Sequence, residues 1–150
     1  MKKRLTHIIL FLFVLTILGG CTKNNGDIGH WFGLWHVDAI EVNGVPDASY
    51  DGNYYFMFQG KVFCVRYVME QEHLTRDAYA RWEESDDGQH ITINFDDNNY
   101  SPYLGDDIPN NYFSIHNVLT VDTLTASTMV LHHSIANGNS TVTYRLTHWE

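Results

Sequence analysis

Nine histidines, eighteen carboxylates and two cysteines are the side chains of this 150-residue chain that could ligate a metal, move a proton or attack an electrophile. His132 and His133 form the most visible pair, but adjacent residues on a strand point to opposite faces and cannot chelate together. His36, His116 and His148 would meet only if their strands aligned, and no H-x-H, H-E-x-x-H or C-x-x-C spacing occurs. The acidic runs Glu83-Glu84-Ser85-Asp86-Asp87 and Asp96-Asp97-Asn98-Asn99 carry the oxygen ligands calcium prefers. They lack the glycine and the twelfth-position glutamate of an EF-hand loop, so they read as solvated loops. No G-x-S-x-G elbow or phosphate-binding glycine loop is present, and spacing picks out no Ser/His/Asp set. Paired carboxylates for glycoside cleavage are defined by their separation across a cleft, which a sequence does not give. The expectation is a protein with no catalytic residues, no metal and no cofactor.

The two cysteines read differently. Lys2, Lys3 and Arg4 precede an apolar run from Ile8 to Leu18, followed by Gly19, Gly20 and Cys21, which is the layout of an export signal. The run falls short of the roughly 20 apolar residues a helix needs to cross a bilayer. Leu18-Gly19-Gly20-Cys21 resembles the lipobox of bacterial lipoproteins. That resemblance implies cleavage by signal peptidase II after residue 20, a diacylated Cys21, and a membrane partner reached through that lipid. Residues 1–20 are then a signal peptide, and the polar stretch 21–27 a lipidated tether. Thr22-Lys23 lacks an inner-membrane retention aspartate, which points to the outer membrane of the cell envelope. Cys64 is left without a disulfide partner and, within the apolar run Lys61 to Val68, reads as a small buried hydrophobe.

Removal of residues 1–20 leaves six Lys and Arg against eighteen Asp and Glu, a net charge of −12. Such a chain is a poor partner for nucleic acid, and a lipid rather than a basic face must hold it to a membrane. The remaining length suits one domain, 28–150.

That domain is rich in Tyr, Phe, Trp, Val, Ile and Thr, the residues that fit a pleated sheet. Strands are predicted at 34–42, 53–59, 61–68, 77–84, 90–95, 111–120, 128–134 and 140–148. Asn43-Gly44, Gln59-Gly60, Asp87-Gly88 and Asn137-Gly138 supply turns between apolar runs. Ile91, Ile93 and Phe95 alternate with polar neighbours, as do Val142, Tyr144 and Leu146, giving one dry and one wet face. The prediction is all-β: an eight-stranded antiparallel up-and-down barrel with a short N-terminal cap, closure removing the vulnerable edges. A two-sheet sandwich is the alternative.

Gly33-Leu34-Trp35 at the start of the first strand, preceded by the cap Ile28 to Phe32, resembles the G-x-W signature of the lipocalin and calycin barrels. The likeness to the lipocalin-like domains of small bacterial lipoproteins covers residues 28–150. It implies that Gly33 and Trp35 build the closed base of the barrel and that Arg145, on the last strand, packs across the tryptophan. It also implies a membrane-anchored, non-enzymatic protein that binds a small hydrophobic ligand. No second motif of the eukaryotic lipocalins is evident at the middle hairpins. Rings such as Tyr54, Phe56, Phe63, Tyr67, Tyr112 and Phe113 line a cavity on one reading and fill the core on the other. In the filled case the barrel is an interaction module for an envelope or host protein. An enzyme inhibitor is a third use of the same fold. The long connection 96–110 carries Tyr100 and Tyr103, the candidates for a ligand mouth. Asp122-Thr123-Leu124 resembles a bacterial O-glycosylation acceptor.

Overall fold

In the computed structural model, residues 26–95, 110–135 and 139–149 are described; Cys21 and its signal, Tyr100, Tyr103 and the Asn137-Gly138 turn lie outside them. The strands are β1 (Gly33–Val42), β2 (Val45–Pro46), β3 (Tyr54–Gln59), β4 (Val62–Met69), β5 (Leu74–Glu84), β6 (His90–Asn94), β7 (His116–Leu124), β8 (Thr128–Ser134) and β9 (Thr141–Trp149). β2 is a two-residue return that pairs only with the end of β1. The other eight follow chain order, every pairing antiparallel, and β9 pairs back onto β1 from Leu34 opposite Trp149 to Val42 opposite Val142. The eight-stranded up-and-down barrel is therefore closed.

Local chemistry explains most of these elements. Asn43 and Gly44 both take positive φ, at 54° and 78°, as a tight hairpin turn between right-twisted strands requires. Inward positions alternate along each strand, with Ile91 and Ile93 on β6 and Val142, Tyr144 and Leu146 on β9 all buried. Cys64 is buried too, although it alternates with the inward Phe63 and Val65 and so belongs to the outer side of β4. There it pairs with Met57 and Tyr79 on the neighbouring strands, and burial pushes its thiol up to about 12.

Two β-bulges change the phase of the alternation. On β1 the register against β9 slips between Val37 and Ala39, so Val37 and Ile40 both point inward while Asp38 is squeezed outward. On β7 the slip falls between Val121 and Thr123, around Asp122. Each extruded aspartate meets a histidine on the outer surface, Asp38 with His36 at 2.8 Å and Asp122 with His132 at 2.7 Å.

Strand β7 lies further along the chain than the predicted 111–120. In the segment before it, amides turn to side chains: the Phe113 amide donates to Asn111 Oδ1 and the Ser114 amide to Asn117 Oδ1, while the Ile115 carbonyl accepts from the Phe95 amide. β5 begins three residues early because the β4–β5 hairpin is tight, a 3₁₀ turn at Glu70–Glu72 followed by His73 at φ 54°.

The barrel has two unlike ends. One, the closed end, gathers the 3₁₀ segment Gly26–Trp31, the start of β1, and the β3–β4, β5–β6 and β7–β8 hairpins. The mouth gathers the 43–53 connection, the β4–β5 hairpin, and the segments leading into β7 and β9.

Candidate functional site

At the closed end Trp35 is fully buried and donates its indole N–H to the Trp31 carbonyl at 3.1 Å. Trp31 in turn packs on Phe58 and Trp82, with ring centroids 5.0 and 5.2 Å away. Gly33 has φ 129°, and a Cβ there would collide with Nε2 of His148, so only glycine fits. Arg145, expected across Trp35, is elsewhere. It sits on the outer face opposite Ala39, half exposed, and its guanidinium donates to Glu41 at 2.7 Å. The β9 alternation dictates this, because Tyr144 and Leu146 point inward and the residue between them must point out. The ring that covers Trp35 belongs to His148, which is opposite it in register and meets it edge-on at 4.9 Å. These contacts are structural.

The mouth offers more chemistry. Its rim carries four tyrosines, Tyr50, Tyr54, Tyr67 and Tyr112, and three of their hydroxyls donate within the protein. Tyr50 donates to the Val37 carbonyl, Tyr67 to Asp51 at 2.7 Å and Tyr112 to Asp47 at 2.6 Å. Tyr54 packs between Tyr50 and Tyr67, its ring tilted by 45° and 48° to theirs. Asp47 also accepts from Ser49 and from Asn110 Nδ2, and these hydrogen bonds hold its carboxyl down at about 2. Asp47 thus latches the 43–53 connection to the chain that enters β7.

Below the rim lies the buried polar pair of the interior. His133 follows Met129 and Leu131 along the inward face of β8, and its Nε2 meets the Tyr144 hydroxyl at 3.3 Å. Burial holds the His133 imidazole down at about 4 and keeps the Tyr144 phenol protonated. Both are therefore neutral at pH 7. Among the described residues, His133 Nδ1 has no hydrogen-bond partner. Phe113, carried on the irregular segment before β7, lies over both rings: it is 5.5 Å from Tyr144 at an interplanar angle of 4° and 5.7 Å from His133 at 17°. Phe56, Phe63 and Phe95 surround it at 5.6 to 5.9 Å. The result is a ring-lined box with a flat floor and one hydrogen-bonding edge, filled by a side chain that belongs to no strand.

The pH dependence of folding has a sign that follows from this burial. The His133 pKa falls from 6.5 to about 4 on folding, so between those values the unfolded chain binds the extra proton and stability drops as pH falls. The loss reaches on the order of 2 kcal/mol by pH 5. Urea titrations at pH 7 and pH 5 measure it, and His133→Phe should remove most of the difference between the two.

Sequence reasoning treated His133 only as half of a metal pair with His132. The structure separates them: His132 faces out to Asp122, and His133 faces in. His36 is tied to Asp38 and the Gly52 carbonyl, His116 to Asn94, and His148 to the closed end, so these three do not converge. Among the described residues no cluster of His, Cys, Asp and Glu is arranged to hold a metal.

No family model and no curated protein matches the sequence. Solved structures do match. A lipocalin-like protein from Bacteroides uniformis superposes with a TM-score of 0.60 at 14% identity, covering 81% of this chain and all of that one. A protein from Bacteroides eggerthii gives 0.59 at 16% identity, over 79% and 99%. Insecticyanin from the tobacco hornworm Manduca sexta gives 0.50 at 11% identity, over 83% and 64%. At such identities the likeness concerns the fold, and the fold is lipocalin-like.

Proposed function

We propose that this lipocalin-like barrel is a lipid-anchored, non-enzymatic binding protein of the cell envelope whose ligand is a small, flat, hydrophobic molecule taken in at the mouth. One observation carries the reading. The His133–Tyr144 floor and its phenylalanine walls form a site for a planar ring, already occupied by the Phe113 ring of the chain itself. The free Nδ1 of a neutral imidazole adds one directional hydrogen bond, and apolar walls with a single polar group are the usual build of a small-molecule site. Anchoring rests on the Lys2-Lys3-Arg4, apolar run and Leu18-Gly19-Gly20-Cys21 sequence.

Fluorescence titration of the purified protein with 1-aminoanthracene, a planar apolar dye with one amino group, tests the ligand reading. Saturable submicromolar binding at one site per chain is the expected result. A protein that leaves the dye unbound is instead an interaction module, a reading favoured by the tightly packed rings of the closed end. Metabolic labelling with a radioactive fatty acid tests the anchor: the wild-type chain should incorporate label and Cys21→Ser should not.

A further inference from the structure

The outer surface of the closed end carries a second aromatic group that neither folding nor the mouth uses. Trp149, the last described residue of β9, is 53% exposed although it is an indole. Its ring stands edge-on to Tyr55 of β3 at 5.5 Å and lies 5.8 Å from His36 of β1. Opposite it in register is Leu34, and the Phe32 to Leu34 ridge separates two shallow grooves of about 300 and 230 Å³. The first runs past Trp149 and His148 to Gly29 and His30, and the second is floored by Met57 and Phe58. Among the described residues, neither is lined by an Asp or Glu. Glu83, Glu84, Asp86 and Asp87 sit at the β5–β6 hairpin, on the far side of the barrel in the strand order, and Asp38, the carboxylate beside His36, is engaged by His36 and by the Thr147 hydroxyl.

We propose that this aromatic face rests on the phospholipid bilayer surface, with Trp149 in the headgroup layer. The inference builds on the reading of Cys21 as the lipidated residue. Gly26, where the described chain begins, is five residues from Cys21, a reach of about 18 Å even when fully extended. The 3₁₀ segment that starts at Gly26 lines the first groove through Gly29 and His30, so a lipid on Cys21 brings this end of the barrel to the membrane. Trp and Tyr favour the interface because their rings are apolar and their N–H and O–H reach water. Engagement of Asp38 by His36 and Thr147 limits its repulsion of anionic headgroups. The consequence is an orientation: with the closed end on the membrane, the mouth opens away from it, and ligand arrives from the aqueous side.

The four tryptophans make the test selective, since Trp31, Trp35 and Trp82 are buried and Trp149 is not. The full-length protein, extracted from its own membranes, is reconstituted into phosphatidylcholine vesicles with or without brominated acyl chains. Fluorescence is compared with that of Trp149→Phe. The Trp149 component should fall by about half or more in the brominated vesicles and be protected from aqueous iodide. Quenching by iodide with none by bromolipid would overturn the proposal. Protection from both quenchers would also overturn it, since a second copy of the chain would then cover the face. If the wild-type chain carries no lipid, the anchor reading fails on its own. The Cys21 thiol is then coupled to a maleimide phospholipid in the same vesicles, Cys64 being buried, and the same quenching decides the fate of the face.

Discussion

Replacing Trp35 by alanine should lower the free energy of unfolding by about 3 to 5 kcal/mol, the cost of truncating a large buried aromatic. For a domain of this size that is a fall in Tm of roughly 10 to 20 °C. Three losses combine. The indole is fully buried, so its removal opens a void at the closed end. Its N–H is the donor to the Trp31 carbonyl, which fixes the 3₁₀ segment onto the barrel. It is also the surface on which His148 stands, and the link from β9 to Gly33 goes with it. Trp35→Phe should recover part of the packing without the hydrogen bond and unfold at an intermediate temperature. Arg145→Met provides the contrast, because among the described residues Arg145 hydrogen-bonds only Glu41 and its own guanidinium is half exposed, and such an ion pair on the outer surface adds little. Its midpoint should match wild type. A Trp35→Ala protein that melts with wild type would remove the tryptophan from the base of the barrel. A large loss in Arg145→Met would restore the arginine to it.

The same pair of residues marks how far the sequence carries. Strand positions were legible because the interior imposes period two and the turns demand Gly or Asn. Val142, Tyr144 and Leu146 announce their inward face, and Asn43-Gly44 announces a turn. That alternation already placed Arg145 outside, and the family resemblance overrode it. His148 was hidden for a different reason. It becomes the partner of Trp35 only through the β1–β9 register, and that register depends on the bulge at Asp38. A bulge is one extra residue whose side chain leaves the pattern, so a polar residue at a phase change is its sole trace in a sequence. Tyr50 was missed because it lies in a connection, and its role of filling the wall beyond the last β1–β3 pair at His36 and Tyr55 is tertiary. His133 was within reach: it continues the alternation of Met129 and Leu131, and a histidine at an inward position is a candidate for burial whatever its neighbour does.

The most informative single change at the mouth is Phe113→Ala, which should raise the affinity for 1-aminoanthracene by about tenfold or more while destabilising the free protein by roughly 2 to 3 kcal/mol. Phe113 is half buried and rides on a segment held by side-chain hydrogen bonds, not by a ladder. In the free protein its ring occupies the His133–Tyr144 floor, so a ligand ring must first expel it. Only the fraction of molecules with Phe113 withdrawn is competent to bind, and the apparent affinity is lowered by that fraction. Alanine removes the competitor and leaves the floor. Re-exposing a half-buried aromatic costs on the order of 1 to 2 kcal/mol, which sets the size of the expected gain. Saturating dye should also return stability to the variant by mass action, seen as a rise in Tm with dye concentration. If Phe113 is core packing alone, truncation leaves a cavity of one ring. That cavity would take benzene and reject the three-ring dye, as a small apolar void does, and wild type would bind neither. His133→Leu sharpens the distinction. It keeps an apolar floor but deletes the imidazole edge, so it should weaken 1-aminoanthracene while sparing anthracene, whose ring has nothing to bond.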